Sequence, residues 1–85
     1  MKITLLYFAR LREAFGKHSE EVSLPEDVRD VAALAQWLRN RGGVWAAELA
    51  SGRAYRVAVD QQMAGAQTRL HEGAEVAVFP PVTGG

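Results

Sequence analysis

The last seven residues carry most of the chemistry that this sequence offers: Phe79-Pro80-Pro81-Val82-Thr83-Gly84-Gly85. Neither proline can donate a backbone hydrogen bond to a β-ladder, so Pro80 and Pro81 predict the end of a strand and the start of an extended tail over residues 80–85. Such a tail spans roughly 20 Å. Gly84 and Gly85 have no Cβ, so the chain end is thin and its terminal carbonyl is unshielded. The predicted reactive group is therefore the α-carboxylate of Gly85. The plain alternative is a frayed terminus without a role.

The rest of the sequence offers no second centre of that kind. There is no cysteine, which excludes disulfides, thiolate metal sites and a cysteine nucleophile. His18 and His71 lie far apart without a third ligand motif, so we predict no metal site. Ser19, Ser23 and Ser51 lack the context of an activated nucleophile.

Composition limits the partners further. Eighty-five residues predict one domain, with residues 1–79 as its body. Ten basic and ten acidic residues give a formal net charge of zero, which argues against nucleic-acid binding and against electrostatic docking to a membrane. No apolar run reaches the ~18 residues of a membrane span, and the N-terminus has no signal-peptide pattern. We therefore expect a cytoplasmic protein.

The hydrophobic pattern predicts how the body is built. Val31, Leu34, Ala35 and Leu38 form one apolar stripe on a helix that starts at Asp27 or Asp30 and is closed by Gly42-Gly43. The other predicted elements are strands over 2–9, 17–24, 53–60, 63–64 and 75–79, a helical turn over 10–16 and a short helix over 44–49. A single long helix must bury its stripe on one face of a sheet, which indicates a two-layer α+β domain.

This order of elements and the Gly-Gly end resemble the ubiquitin-like β-grasp family, and within it the sulfur carriers that are small subunits of molybdopterin synthases. The resemblance rests on the tail, on Tyr7-Phe8-Ala9 with Arg12-Glu13 and Gly16, and on Leu70, Gly73 and Glu75-Val76. Ala74 departs from the acidic residue expected after Gly73. The resemblance implies a mixed sheet of four to five strands packed on one main helix, with a free C-terminal tail.

The resemblance also implies a mechanism and partners. A ubiquitin-activating-like adenylating enzyme uses ATP to adenylate the carboxylate of Gly85, and a sulfur donor converts the adenylate to a thiocarboxylate. The large subunit of molybdopterin synthase then accepts the tail, Pro80 to Gly85, and passes the sulfur to a cyclic pterin precursor. We expect a heterotetramer with that subunit and no cofactor bound by this chain itself. Related carriers serve thiamine thiazole synthesis or tRNA thiolation, and a protein modifier or a plain binding module remain alternatives.

Five residues are predicted to meet these partners. Phe8, Met63 and Phe79 are expected to form an exposed apolar patch at the base of the tail. Arg12, with Arg10, is expected to pair with acidic groups of a partner, because guanidinium groups pair with carboxylates through two parallel hydrogen bonds.

Overall fold

The computed structural model describes residues 1–81, which form a five-stranded mixed sheet with one main helix and two short helices. The strands are β1 (Lys2–Tyr7), β2 (Ser19–Ser23), β3 (Arg56–Val59), β4 (Gln62–Met63) and β5 (Glu75–Phe79). Their order across the sheet is β2-β1-β5-β3-β4, and only the central β1–β5 pair is parallel. The last strand therefore lies in the middle of the sheet, between β1 and β3.

The main helix, α2 (Val31–Arg39), buries the predicted stripe of Val31, Leu34, Ala35 and Leu38. Asp30 is its N-cap, and the carboxylate of Asp30 accepts a hydrogen bond of 2.8 Å from the backbone N–H of Ala33. The prediction that Gly42-Gly43 closes this helix was wrong. The helix ends at Arg39 with Asn40 as C-cap, whereas Gly42 precedes the next helix, α3 (Gly43–Glu48).

The other short helix, α1 (Ala9–Phe15), begins where the first strand was predicted to continue. Ala9 has a φ of 53°, a left-handed value that residues other than glycine adopt at an energetic cost. The chain turns at Ala9, and β1 therefore ends at Tyr7. Gly16 closes α1 at a φ of 72°, as its position in the sequence predicted. Leu11 and Phe15, one turn apart, are the buried residues of this helix.

An aromatic cluster joins the two short helices to β1. The rings of Phe15 and Trp45 are stacked with centroids 3.8 Å apart, and the Tyr7 ring meets both edge-on at 5.0 and 5.5 Å. The cluster packs against the core under α2, which includes Leu5, Leu38 and Val76. Aromatic contacts thus connect α1 and α3 to Tyr7 at the end of β1, beside Val78 of β5.

Candidate functional site

The strand that precedes the tail, β5, lies between two neighbouring strands, β1 and β3. Phe79 is the last residue of β5 and pairs with Arg56, the first residue of β3, while Tyr7 pairs with Val78 on the other side. Pro80 and Pro81 follow and are half-buried. The predicted chemistry at Val82, Thr83, Gly84 and Gly85 lies outside the described residues. What the structure describes is the end of β5 and the two prolines that precede these residues.

One face of the sheet carries an apolar row beside this exit. Met63 pairs with Ala58, Ala58 with Ala77, and Ala77 with Leu6, so their side chains share a face across four strands. Phe79 lies two residues beyond Ala77, and Phe8 two beyond Leu6, on the same face. We call this surface the tail-base patch: Leu6, Phe8, Ala58, Met63, Ala77 and Phe79.

The patch contains the largest exposed apolar side chains of the described residues. Met63 is 63% exposed and Phe8 is 48% exposed, while Phe79 is half-buried. The alternative that all three are ordinary core residues is therefore wrong for Met63 and Phe8. Their role as a partner interface stays a prediction, but the surface that it requires exists.

Backbone bonds fix where Phe8 stands. Its N–H donates to the carbonyl of Val78 at 3.2 Å, and its own carbonyl accepts from the N–H groups of Leu11 and Arg12 at 3.1 and 3.3 Å. Phe8 is thus tied both to β5 and to the first turn of α1. The left-handed turn at Ala9 lets the chain leave for α1 while Phe8 remains extended, at φ −129° and ψ 154°. Strain of this kind is often found beside functional positions.

Arg10 is engaged within the domain. Its Nη2 donates to the carbonyl of Ala54 at 2.9 Å, and its Nε lies 3.4 Å from Glu48 Oε1, an oxygen that Arg53 also contacts at 3.1 Å. Arg10 follows β1 and Ala54 precedes β3, so this contact connects the two neighbours of β5 at the end where the tail leaves. The expectation that Arg10 meets a partner must therefore allow for these internal contacts.

Arg12 is exposed on α1, one turn beyond Phe8. Arg56, which the sequence did not single out, is exposed beside Phe79 on the outer face of β3. No carboxylate among residues 1–81 forms an ion pair with either guanidinium. A residue pattern alone could not identify Arg56, because its place beside the tail follows from the register of β3 with β5.

Arg41 forms a second network of contacts, separate from that of Arg10, with the side chain of Glu20 and two tryptophan rings. Arg41 donates to both oxygens of Glu20, at 2.8 and 3.2 Å, and the buried Tyr7 hydroxyl donates to Glu20 Oε2 at 2.6 Å. Arg41 also lies over the rings of Trp45 and Trp37, 4.4 and 5.1 Å from their centroids. Partial burial raises the pKa of Glu20, but the hydrogen bonds from Arg41 and Tyr7 outweigh it and hold that pKa below its usual value. Burial first, and then the Glu20 carboxylate, raises the pKa of the Tyr7 hydroxyl, so Tyr7 is a hydrogen-bond donor here.

We also searched residues 1–81 for grooves, metal sites and membrane-spanning helices. A groove of about 380 Å³ lies between α2 and β3, and the charged residues in its lining are Arg39 and Arg56. Within residues 1–81, no three His, Asp or Glu side chains lie close enough to hold a metal ion. In the same range, no helix is long and apolar enough to cross a membrane.

Comparison with known proteins places nearly the whole of this sequence, including its last residues, in one family. A model of the ThiS family matches residues 5–85, which includes the Gly-Gly end. The chain belongs to this family. The match covers the second half of β1, all of β2 to β5, the tail-base patch and the tail.

Individual family members give names to the likeness. The chain is 40% identical over 83 residues to the molybdopterin synthase sulfur carrier subunit of Escherichia coli, covering 98% of this chain and 99% of that protein. It is 34% identical over 83 residues to the subunit of the same name from Haemophilus influenzae, with the same coverage of both chains. In structure, it is similar to a chain assigned as molybdopterin converting factor subunit 1 from Pyrococcus furiosus. That likeness has a TM-score of 0.80 at 28% identity, over 96% of this chain and 99% of the other.

These comparisons confirm the predicted fold and the predicted family resemblance. The domain is an α+β protein of the ubiquitin-like β-grasp class, with five strands in its mixed sheet. The sequence analysis did not predict the two arginine networks. Arg41 lies 21 residues from Glu20 in the sequence, and Arg10 lies 44 residues from Ala54. Only the folded register brings such residues together.

Proposed function

We propose that this chain is the sulfur carrier subunit of a molybdopterin synthase. The observation that carries the proposal is that family members of that name match over nearly their whole length, while the family match itself runs through Gly85. The tail-base patch supports it, because a carrier that presents its own chain end needs a surface beside that end for its partners.

The chemistry is a transfer through the carboxylate of Gly85. A carboxylate oxygen attacks the α-phosphorus of ATP on an activating enzyme, and pyrophosphate leaves. Sulfur supplied at the oxidation level of sulfide then attacks the carbonyl carbon of the acyl adenylate, and AMP leaves. The product is a thiocarboxylate. In the large subunit its sulfur bonds to a carbon of the cyclic pterin precursor in place of an oxygen substituent, and water then cleaves the acyl–sulfur bond, which leaves the sulfur on the pterin and restores the carboxylate of Gly85.

Loading is tested by intact mass after co-expression with the chain's own activating enzyme and sulfur donor. We expect a gain equal to replacing one oxygen by sulfur, localised to Gly85 by tandem fragmentation. Localisation is needed because oxidation of Met1 or Met63 adds the same nominal mass. A variant lacking Gly85 is the control and should remain unloaded. Unmodified wild type under conditions where the activating enzyme consumes ATP would refute the proposal.

The docking role of the patch has a matched control within the chain. Phe8 and Val44 are 48% and 47% exposed, but Val44 lies on α3, outside the patch. Phe8→Ser is expected to weaken binding to the large subunit by about 10-fold or more, as loss of a central aromatic contact does. Val44→Ser should leave the affinity unchanged. Equal effects of the two substitutions in a calorimetric titration would remove the patch from the interface.

The route of the sulfur is tested with the loaded carrier. Purified thiocarboxylate carrier, in at least two equivalents per cyclic precursor, should give the dithiolene product with the large subunit and without further loading, because the product holds two sulfur atoms and each carrier supplies one. A loaded carrier that fails here but supports tRNA thiolation or thiazole formation in extracts would assign the chain to one of those routes. Stable conjugates on lysines of other proteins would instead identify a modifier.

A further inference from the structure

The zero net charge of this domain conceals a separation of charge between its two ends. The sheet defines both ends. The tail end is where β1 and β5 finish and where β2 and β3 begin, while the far end is where β1 and β5 begin. The main helix runs between them. It starts at Asp30, which forms a bridge with Arg69, and it finishes at Arg39, whose guanidinium donates to the carbonyl of Leu49. Glu48, the residue before Leu49, contacts Arg10 at the tail end.

The tail end is predominantly basic. We count Glu20 with this end because it forms an ion pair with Arg41. Seven basic residues lie here against three acidic ones: Arg10, Arg12, Lys17, Arg39, Arg41, Arg53 and Arg56 against Glu13, Glu20 and Glu48.

The far end reverses these numbers. Glu21 is assigned to it through its pairing with Lys2. Backbone bonds tie the loops of this end together, from Leu24 to Met1, Leu70 to Arg29, Gly73 to Lys2 and Asp60 to Glu75. Three basic residues lie here against seven acidic ones: Lys2, Arg29 and Arg69 against Glu21, Glu26, Asp27, Asp30, Asp60, Glu72 and Glu75.

The excess at the tail end is not neutralised locally. Glu48 is shared by Arg10 and Arg53, and Glu20 is shared by Arg41 and Lys17. Arg12 and Arg56 form no ion pair with any carboxylate of residues 1–81. These two guanidinium groups flank the tail-base patch, one beyond Phe8 and one beside Phe79.

We propose that this charge separation orients the domain, tail end first, toward a protein partner whose entrance for the tail is rimmed by Asp and Glu side chains. The inference rests on the proposed function, because it concerns the partner that receives the tail. A neutral domain gains no general attraction from its net charge, but an oriented one is steered when the field of its partner acts on its two ends. A nucleic acid fits less well, because nucleic-acid binding draws on a basic surplus and this domain has a formal net charge of zero.

The test measures the association rate constant of the carrier with the purified activating enzyme by stopped flow at several ionic strengths. The activating enzyme is labelled with a fluorescent dye, and the change in its fluorescence reports binding. Between about 10 mM and about 0.15 M salt the screening length falls from about 30 Å to about 8 Å. The longest dimension of the domain is 36 Å, so the two ends act together only at the lower salt. The association rate constant of the wild type should fall as salt rises.

Two variants with the same change in charge separate orientation from net charge. Arg12→Gln with Arg56→Gln removes two positive charges at the tail end, and association should slow by about 3- to 10-fold at low salt, with a weaker dependence on salt. Arg29→Gln with Arg69→Gln removes two at the far end and should leave the rate unchanged or slightly raised. Equal slowing in both variants, or a wild-type rate independent of salt, would overturn the proposal.

Two further measurements keep the outcomes distinct. Pyrophosphate exchange into ATP, driven by saturating wild-type carrier at high salt, reports whether Gly85 is activated at all. If exchange is absent, the proposed function fails; if exchange is present and association is independent of salt, only the orientation fails. A single-stranded RNA that binds the wild type but not the Arg12→Gln, Arg56→Gln variant would assign the basic end to nucleic acid and overturn the protein partner.

Discussion

Replacing Arg41 by alanine should be among the most destabilising changes to any charged residue of this domain. The substitution removes two hydrogen bonds to Glu20 and the stacking over Trp45 and Trp37. Glu20 then keeps the Tyr7 hydroxyl and the longer, 3.8 Å contact with the exposed ammonium of Lys17, but it loses its guanidinium partner, although its side chain is only 15% exposed. Surface ion pairs contribute under ~1 kcal/mol, whereas breaking a fully buried pair costs ~3–5 kcal/mol.

The Arg41 side chain is 26% exposed, which places the pair between these limits. We expect a loss of about 2 kcal/mol in the free energy of unfolding, by analogy with charge-assisted hydrogen bonds of this kind. For a domain of this size the melting temperature should fall by about 8–16 °C. Urea denaturation followed by the fluorescence of Trp37 and Trp45 measures the first quantity, and calorimetry measures the second.

Arg53→Ala is the matched control, because Arg53 also pairs with a glutamate at 3.1 Å but is 49% exposed. It should cost well under ~1 kcal/mol. The cost of Arg41→Ala should also shrink in acid. Glu20 has a lowered pKa in the folded state, so its contribution is complete above the unfolded value near ~4.3 and is lost as the pH falls through the folded pKa. If Arg41→Ala cost no more than Arg53→Ala at neutral pH, the reasoning would be refuted.

Three smaller predictions follow from the ends of the sheet. The hydrogen bond to the carboxylate of Asp60 raises the pKa of His71. This pair therefore stabilises the folded state fully below the unfolded pKa of histidine, near ~6.5, and its contribution is lost as the pH rises through the folded pKa. An NMR titration of His71 that Asp60→Asn leaves unchanged would contradict this. Gln61 has a φ of 69° in the β3–β4 turn, so Gln61→Gly should raise the stability by about 0.5 kcal/mol, whereas Gln62→Gly within β4 should lower it. Arg10→Ala should cost under ~1 kcal/mol globally but speed amide exchange where β3 and β5 meet at the tail end; uniform exchange along both strands would show that its bond to Ala54 is unimportant.

The sequence predicts local elements well where the pattern and the terminating residues agree. The last strand has the predicted bounds of Glu75–Phe79, because the turn at Gly73 precedes it and Pro80 cannot extend it. The stripe of α2 is equally clear, since its four apolar residues recur with the helical period. Strand β3, by contrast, begins three residues later than the predicted start at Arg53.

Other features depend on pairing between distant parts of the chain. No local pattern indicates that β1 and β5 are parallel neighbours. The family resemblance implied a mixed sheet but not which of its strands are paired. The same pairing brings Phe8, Phe79 and Met63 to one surface. Their exposure could be suspected from the sequence, but whether they share a face depends on register, because a shift of one residue would turn a strand's side chains to the opposite face.

The tail-base patch and the basic tail end should act at different stages of binding. Charges attract a partner over roughly 8–10 Å at physiological salt, which mainly sets the rate of association. Apolar side chains act only after contact and mainly set the rate of dissociation. Under the proposed function, the carrier binds an activating enzyme and then a large subunit, so it has to leave each of them. A small patch of six residues combined with long-range steering meets both needs, because fast association keeps encounters frequent while limited apolar burial keeps each complex short-lived.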